Sequence, residues 1–184
     1  GKWALVCGAS KGLGLGCAQA LAAAGANVMI VARGAEALEA AATGLRALPG
    51  AGKVLAVATD ITTEEGRAAV FSAPGGPGKD FDIVVCDTGA GIGPATLAVA
   101  ERSDLVLGIT NADAASLTDA YALCKVLHLR GRALPQLVVN RVRSRDEAMR
   151  TAGKLSAVVK KFLATDLRLC GWVAQDAGVE LGVI

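Results

Sequence analysis

Short apolar runs alternate along this chain with stretches whose apolar residues recur every three or four positions, and turn residues separate the two kinds. The runs at Trp3–Cys7, Asn27–Ala32, Lys53–Ala58, Phe81–Cys86, Leu105–Ile109, Gln136–Val139 and Leu167–Val173 have the length and continuity of strands buried on both faces. Between them, Leu13, Cys17 and Leu21 predict a first helix ending at Gly25. Leu38, Ala41, Leu45 and Leu48 predict a second over Glu36–Leu48, stopped by Pro49-Gly50. Thr62-x-x-Glu65 reads as a capping box opening a third helix that ends near Ser72. Pro94 starts a fourth that runs to about Arg102, and Ser116–Arg130 carries Leu117, Tyr121, Cys124 and Leu127 inward on a fifth. Ser144-x-x-Glu147 opens a long sixth through Phe162, with Met149, Ala152, Leu155, Val159 and Phe162 as its apolar positions. Ala73-Pro-Gly-Gly-Pro-Gly78 is too short for a domain linker and reads as a surface loop.

Strand and helix alternate throughout, so the pattern predicts an α/β fold with right-handed crossovers and helices on both faces. The expected architecture is a single domain over residues 1–184. It is a three-layer, doubly wound parallel sheet of Rossmann-like type in the order 3-2-1-4-5-6-7. The length of 184 residues allows a sizeable core, and 53% apolar with only 3% aromatic residues describes one built from Ala, Val and Leu. A net charge of +2 carries no polyelectrolyte signature for nucleic acid, and no block of like charge points to a membrane surface. The longest apolar runs are strand-length, so neither a transmembrane span nor a signal peptide is expected. Cys7, Cys17, Cys86, Cys124 and Cys170 are odd in number and scattered without a Cys-x-x-Cys pair. They read as buried, reduced thiols in a cytoplasmic protein, with no metal site.

Candidate chemistry concentrates after the first strand, in Gly8-Ala-Ser-Lys-Gly12-Leu-Gly14. Gly8 lets the chain turn sharply, Gly12 leaves room for a pyrophosphate to reach the backbone, and Gly14 allows the helix to pack close to the strand. The unpaired N–H groups at the helix start, Leu13 among them, then face the anion with the positive end of the helix dipole.

The spacing Gly-x-x-x-Gly-x-Gly resembles the short-chain dehydrogenase/reductase family, and the resemblance runs from Gly1 to Ile83. It implies dinucleotide binding, with Asp60 and Ile61 beside the adenine and Gly89 approaching the ribose. Family members that prefer NAD end the second strand with an acid for the ribose 2′-hydroxyl, whereas this chain has Ala32 and then Arg33. Arg33, Lys11 and Ser10 are therefore expected to hold a 2′-phosphate, which makes the implied cofactor NADP.

From Phe81 onward the resemblance changes. Val84-Val-Cys-Asp87-Thr-Gly-Ala-Gly91, Ser116-Leu-Thr-Asp-Ala-Tyr-Ala-Leu-Cys-Lys125 and Val138-Val-Asn140-Arg-Val-Arg143 resemble ParA/MinD-type ATPases, most closely the flagellar-number regulators. That family implies a metal- and water-site acid at Asp87 and a base-reading Asn140. The chain contains no Gly-x-x-x-x-Gly-Lys-Ser/Thr loop, so Asp87 reads as a residual polar group at a strand end and Asn140 as a strand-end turn residue. Asp82-Ile-Val-Val-Cys-Asp-Thr-Gly89 also lies gaplessly on the dehydrogenase pattern Asp-Ile-Leu-Val-Asn-Asn-Ala-Gly. Two families meeting inside one sheet point to an engineered chimera, with residues 1–83 from one parent and 84–184 from the other.

The resulting expectation is a monomeric NADP-binding module without catalysis. Its first alternative is a reductase using Tyr121 as proton donor beside Lys125, since Tyr121-Ala-Leu-Cys-Lys125 has the dehydrogenase Tyr-x-x-x-Lys spacing. The ATPase pattern accounts for the same residues without catalysis. The remaining alternatives are an ATP-dependent switch built on Asp87 and a scaffold without a ligand. His128, near a helix C-terminus, reads as a surface residue paired with the helix dipole.

Overall fold

The computed structural model describes residues 1–176. It contains β1 (Trp3–Cys7), α1 (Gly12–Ala23), β2 (Asn27–Ala32), α2 (Ala35–Arg46), β3 (Val54–Ala58), α3 (Glu64–Phe71), β4 (Ile83–Cys86), α4 (Pro94–Ala100), β5 (Leu107–Thr110), α5 (Ala114–Leu129), β6 (Gln136–Val142), α6 (Arg145–Leu163) and β7 (Leu169–Ala174). Every observed strand pairing is parallel. The α/β alternation read from the sequence is therefore the fold. Residue 184, the expected limit of the second half, lies outside the described residues.

The strands form two hydrogen-bonded sheets, β3-β2-β1-β4 and β5-β6-β7, where the sequence predicts one. Both partial orders are as expected, and the missing ladder is the one between β4 and β5. These are the two shortest strands, with four residues each, so they offer the fewest backbone groups for such a ladder. The chain correspondingly divides into two compact units, Gly1–Thr88 and Gly89–Ile184.

In the first unit the period-two alternation of β1 separates two cores. Val6, with Val28 and Ile30 of β2, packs against Ala18 and Ala22 of α1 and Leu38, Ala42 and Leu45 of α2. Leu5 and Cys7, with Met29 and Val31, pack on the opposite face against Val70 of α3. Helices thus cover both faces of this sheet. Position α1 on the sheet is set by small residues: it buries Gly14, Ala18 and Ala22, not the predicted stripe, of which Leu13 is 61% exposed and Cys17 is also exposed. The four-residue spacing survives, shifted by one position, because a helix pressed closely onto a strand has room there only for Gly and Ala.

The second unit has its core between β6 and helices α5 and α6, where Leu137 and Val139 meet Cys124, Ala152, Leu155 and Val159. On β5 the alternation leaves Leu107 and Ile109 about half exposed while Gly108 and Thr110 are buried, so helices on both faces are not seen at this strand. Met149 and Phe162, expected inward on α6, are 52% and 64% exposed, and the buried stripe instead includes Ala148, Thr151 and Leu163. Asn140 lies within β6 rather than at a strand-end turn, followed by Arg141 at φ 56°. The β6/β7 register shifts between Val139 and Val142, across this stretch, which is how the bulged strand continues past it.

Three helix starts show how the caps are placed. Ser144 Oγ accepts from the Glu147 N–H at 3.2 Å, and the Glu147 carboxylate reaches back to the Arg143 N–H at 2.8 Å. At α3 the cap is Thr63, one residue later than predicted, because its Oγ1 accepts from Gly66 N–H at 3.0 Å while Thr62 is engaged by Asp60. At α5 Asp113 caps the helix from ahead of Ser116, so the helix starts two residues earlier than its hydrophobic pattern suggests.

Candidate functional site

The glycine turn follows β1 at the carboxyl end of the first sheet. Gly8 and Gly12 adopt φ of 79° and 62°, left-handed conformations that suit glycine. The turn is anchored to β2, since the Gly8 and Ala9 N–H groups donate to the Val31 carbonyl at 2.9 and 3.3 Å. Gly14 supplies the close approach. A Cβ built there would lie 2.5 Å from the Gly8 carbonyl oxygen and 3.2 Å from Ala9 Cα. At Gly12 nothing stands within 4 Å of a built Cβ, so this side of the turn is open to a ligand.

The start of α1 is dressed for an anion. Lys11 occupies the cap position with no side-chain cap hydrogen bond, and the first turn has no acidic residue. Neither the cap residue nor the first turn of the helix thus offers a carboxylate to the orphan N–H groups and the positive dipole end. Lys11 and Leu13 are exposed at this tip. Ser10 lies beside it and lines, with Leu15 and Gln19 of α1 and Ala37, Ala41 and Gly44 of α2, an open groove of about 420 Å³.

Arg33 follows β2 and is exposed, and the strand ends without an acid. Across the same sheet edge, after β3, the Asp60 carboxylate accepts from Thr62 N–H at 2.9 Å and Thr62 hydroxyl at 2.7 Å. These two hydrogen bonds hold the Asp60 carboxyl below its ordinary value of 3.8, and the positive charge of Arg33 assists. Asp60 and Arg33 therefore feel one another at the edge where the adenosine end of a dinucleotide is expected. Ile61 packs against the cluster of Leu5, Cys7, Met29, Val31 and Val70, so part of its surface is committed to the core.

A residue of the other resemblance also reaches the turn. A Cβ built on Gly8 would lie 3.7 Å from Asp87 Cβ and 3.9 Å from Asp87 Oδ2. An exposed carboxylate thus flanks the glycine turn, an arrangement that only the β1/β4 register makes visible.

Gly89 is the first residue of the second unit, and its carbonyl accepts from Thr96 Oγ1 at 3.3 Å. Tyr121 and Lys125 belong to α5 in that unit. Tyr121 is half-buried against the α6-facing core and meets Phe162 edge-on, with ring centroids 6.4 Å apart, and Lys125 is exposed. His128 is exposed in the last turn of α5, as read from the sequence. Of the five cysteines, only Cys7 and Cys124 are buried, which corrects the expectation that all are; Cys17, Cys86 and Cys170 are exposed. Among the described residues no helix is long and apolar enough to cross a membrane, and no group of three or more His, Cys, Asp or Glu side chains is placed to hold a metal ion.

Comparison with known proteins gives two kinds of relative. Antiactivator FleN of Pseudomonas aeruginosa is 31% identical over 105 residues, 56% of this chain and 38% of that protein. The rhamnolipids biosynthesis 3-oxoacyl-[acyl-carrier-protein] reductase of the same organism is 40% identical over 95 residues, 52% of this chain and 36% of that protein. The chain thus spans well under half the length of these curated relatives. Among solved structures, a short-chain dehydrogenase from Sphingobium yanoikuyae in complex with NADPH is 20% identical, with 99% of this chain and 91% of that one covered at a TM-score of 0.48. The family described as short chain dehydrogenase matches residues 2–112, which carries the likeness well past Ile83, where the motifs first change character. That match takes in the glycine turn, both flanking cores of the first sheet and β4, and by it the chain belongs to the short chain dehydrogenase family.

Proposed function

We propose that this chain binds NADP(H) through the glycine turn and does not carry out hydride transfer. The observation that carries the reading is the helix tip: α1 begins behind two left-handed glycines, with Gly14 seated on the Gly8 carbonyl, no side-chain cap from Lys11 and no acid in the first turn. Gly8, Gly12, Gly14 and the Leu13 N–H hold the pyrophosphate. Ser10, Lys11 and Arg33 hold the 2′-phosphate, Asp60 and Ile61 flank the adenine, and Gly89 approaches the ribose. The absence of an acid after β2 favours the phosphorylated cofactor, because a carboxylate there would repel it.

The chain is a composite in this reading, an engineered chimera whose later part derives from ParA/MinD-type ATPases. The likeness to FleN over 105 residues supports it, as does the likeness to the reductase over 95. Catalysis is absent because Tyr121 is engaged with the α5/α6 core and Phe162, which accounts for it structurally. The protein acts as a monomer, and its place is the cytoplasm.

Side-by-side titration with NADPH, NADH and ATP tests the proposal, with tightest binding to NADPH and weakest to ATP as the expected order. Tighter binding of ATP would favour a nucleotide switch built on Asp87 instead. A second reading, a reductase using Tyr121 and Lys125, draws on their spacing on α5 and on the 40% identity to a reductase. It requires carbonyl-dependent oxidation of NADPH that Tyr121→Phe abolishes.

A further inference from the structure

Two neighbouring strands of the first sheet, β1 and the edge strand β4, end in cysteines that stand directly opposite one another. Cys7 closes β1 and Cys86 closes β4, and the parallel register pairs them residue to residue. Paired residues in a sheet project to the same face, and adjacent strands lie about 4.7–4.9 Å apart, inside the roughly 4.4–6.8 Å that Cα atoms span across a disulfide. The two thiols differ in access: Cys7 is 8% exposed within the core of Leu5, Met29 and Val31, whereas Cys86 is open to solvent. The residues that follow them are Gly8 of the turn and Asp87, which flanks it.

We propose that Cys7 and Cys86 form a peroxide-sensitive dithiol, with Cys86 the thiol attacked first and Cys7 the resolving partner, which closes a disulfide between β1 and β4. In the first step the Cys86 thiolate attacks one oxygen of a hydroperoxide. The S–O bond forms as the O–O bond breaks, and the departing oxygen takes a proton from water. Cys86 is oxidised by two electrons to a sulfenic acid and the hydroperoxide is reduced to water or an alcohol. In the second step the Cys7 sulfur attacks the Cys86 sulfur. The S–S bond forms, the S–O bond breaks, and hydroxide leaves with the Cys7 proton as water. A dithiol reductant reverses the bond by exchange.

The electrostatics assign the same roles as the burial. The Cys7 thiol, hydrogen-bonded to the Cys86 sulfur, draws Cys86 down from 9.0 to about 6, and the same contact with burial pushes Cys7 up. A thiolate at Cys86 with a protonated thiol beside it is the starting state that the two steps need. Cys17 and Cys170 are also exposed and serve as internal controls.

The test exposes the whole chain to a small excess of hydrogen peroxide, then alkylates, digests and maps the thiols. The expected result is a Cys7–Cys86 linked peptide, removed by dithiothreitol, that appears before oxidation at Cys17 or Cys170. Cys86→Ser should abolish the link and leave Cys7 reduced, while Cys7→Ala should stop at a sulfenic acid on Cys86 that a cyclic 1,3-diketone traps. Should the Cys7 variant fail to fold, the same diketone in excess over the unaltered chain should divert Cys86 from the link. The proposal is overturned if Cys7 and Cys86 stay reduced while Cys17 or Cys170 oxidise, or if Cys86 links only between two chains.

Discussion

The backbone of Gly8 and the α-carbon of Gly14 are pressed together: a Cβ at Gly14 would stand 2.5 Å from the Gly8 carbonyl oxygen. The obstructing atom is backbone, so it cannot swing aside like a side-chain tip. Gly14→Ala must therefore push α1 away from the turn, at a cost of about 1–3 kcal/mol typical of overpacking. Gly12→Ala differs, because its Cβ enters open space and the cost is that of a left-handed alanine, about 1–2 kcal/mol. Its methyl group would occupy the open side on which the proposed pyrophosphate site lies. Denaturant unfolding and NADPH titration of both variants should show Gly14→Ala losing stability and binding together. Gly12→Ala should lose binding out of proportion to its stability.

That pair of glycines also explains which parts of the molecule were legible in the sequence. β1 and β2 were found to the residue, because continuous apolar runs between turn glycines leave little choice of boundary. The turn was legible for the same reason. The buried face of α1 was not, because hydrophobic periodicity ranks Leu13 and Cys17 above Gly14, Ala18 and Ala22, whereas the closeness of the helix admits only small residues. On α6 the aromatic Phe162 and the long Met149 looked like core and are exposed, while Thr151 is buried. The division of the sheet beside β4 had no signal, since the apolar runs near Phe81 and Leu105 look like any other strands. Asp87 beside Gly8 and Cys86 beside Cys7 share one cause of invisibility. Each pair lies some eighty positions apart in sequence and is brought together only by the register of β1 on β4.

Arg33 should decide between the two dinucleotides. It stands after β2 with no acid between it and the strand, and its charge already acts on Asp60 across the sheet edge. Hydrogen bonds to a charged group contribute about 1.5–3 kcal/mol, so Arg33→Ala should weaken NADPH roughly tenfold to a hundredfold. NADH has no 2′-phosphate and should lose little. Calorimetric titration of both cofactors checks the difference, and equal losses would remove Arg33 from the 2′-phosphate site.

Acid should act on the edge that Asp60 organises. Its carboxyl is held below the ordinary 3.8 first by the Thr62 N–H and then by the Thr62 hydroxyl, with Arg33 contributing less. A depressed value in the folded state means that the stabilisation is complete above the unfolded carboxylate range and is lost as pH falls through the lower, folded value. Thr62→Ala removes the hydroxyl alone, so the Asp60 midpoint followed by carbon NMR should rise toward 3.8 without reaching it. Arg33→Ala should raise it by less. A larger effect from Arg33 than from Thr62 would reverse the order of causes.

Asp87 puts a negative charge where the proposed ligand brings another. The carboxylate is exposed beside Gly8, so solvent moderates the repulsion, and its removal in Asp87→Asn should tighten NADPH by about two- to tenfold. The gain should shrink as salt rises, since the interaction is a screened one between a surface charge and a phosphate. Uncharged adenosine should not respond. The ATPase resemblance makes the opposite demand: an acid that serves a metal and water site supports the nucleotide, so Asp87→Asn would weaken magnesium-ATP. Measuring both ligands against the same variant at two salt concentrations separates the readings by sign. A tighter NADPH complex requires that the acid be a remnant in a dinucleotide turn, and a weaker magnesium-ATP complex requires that it still work as an ATPase residue.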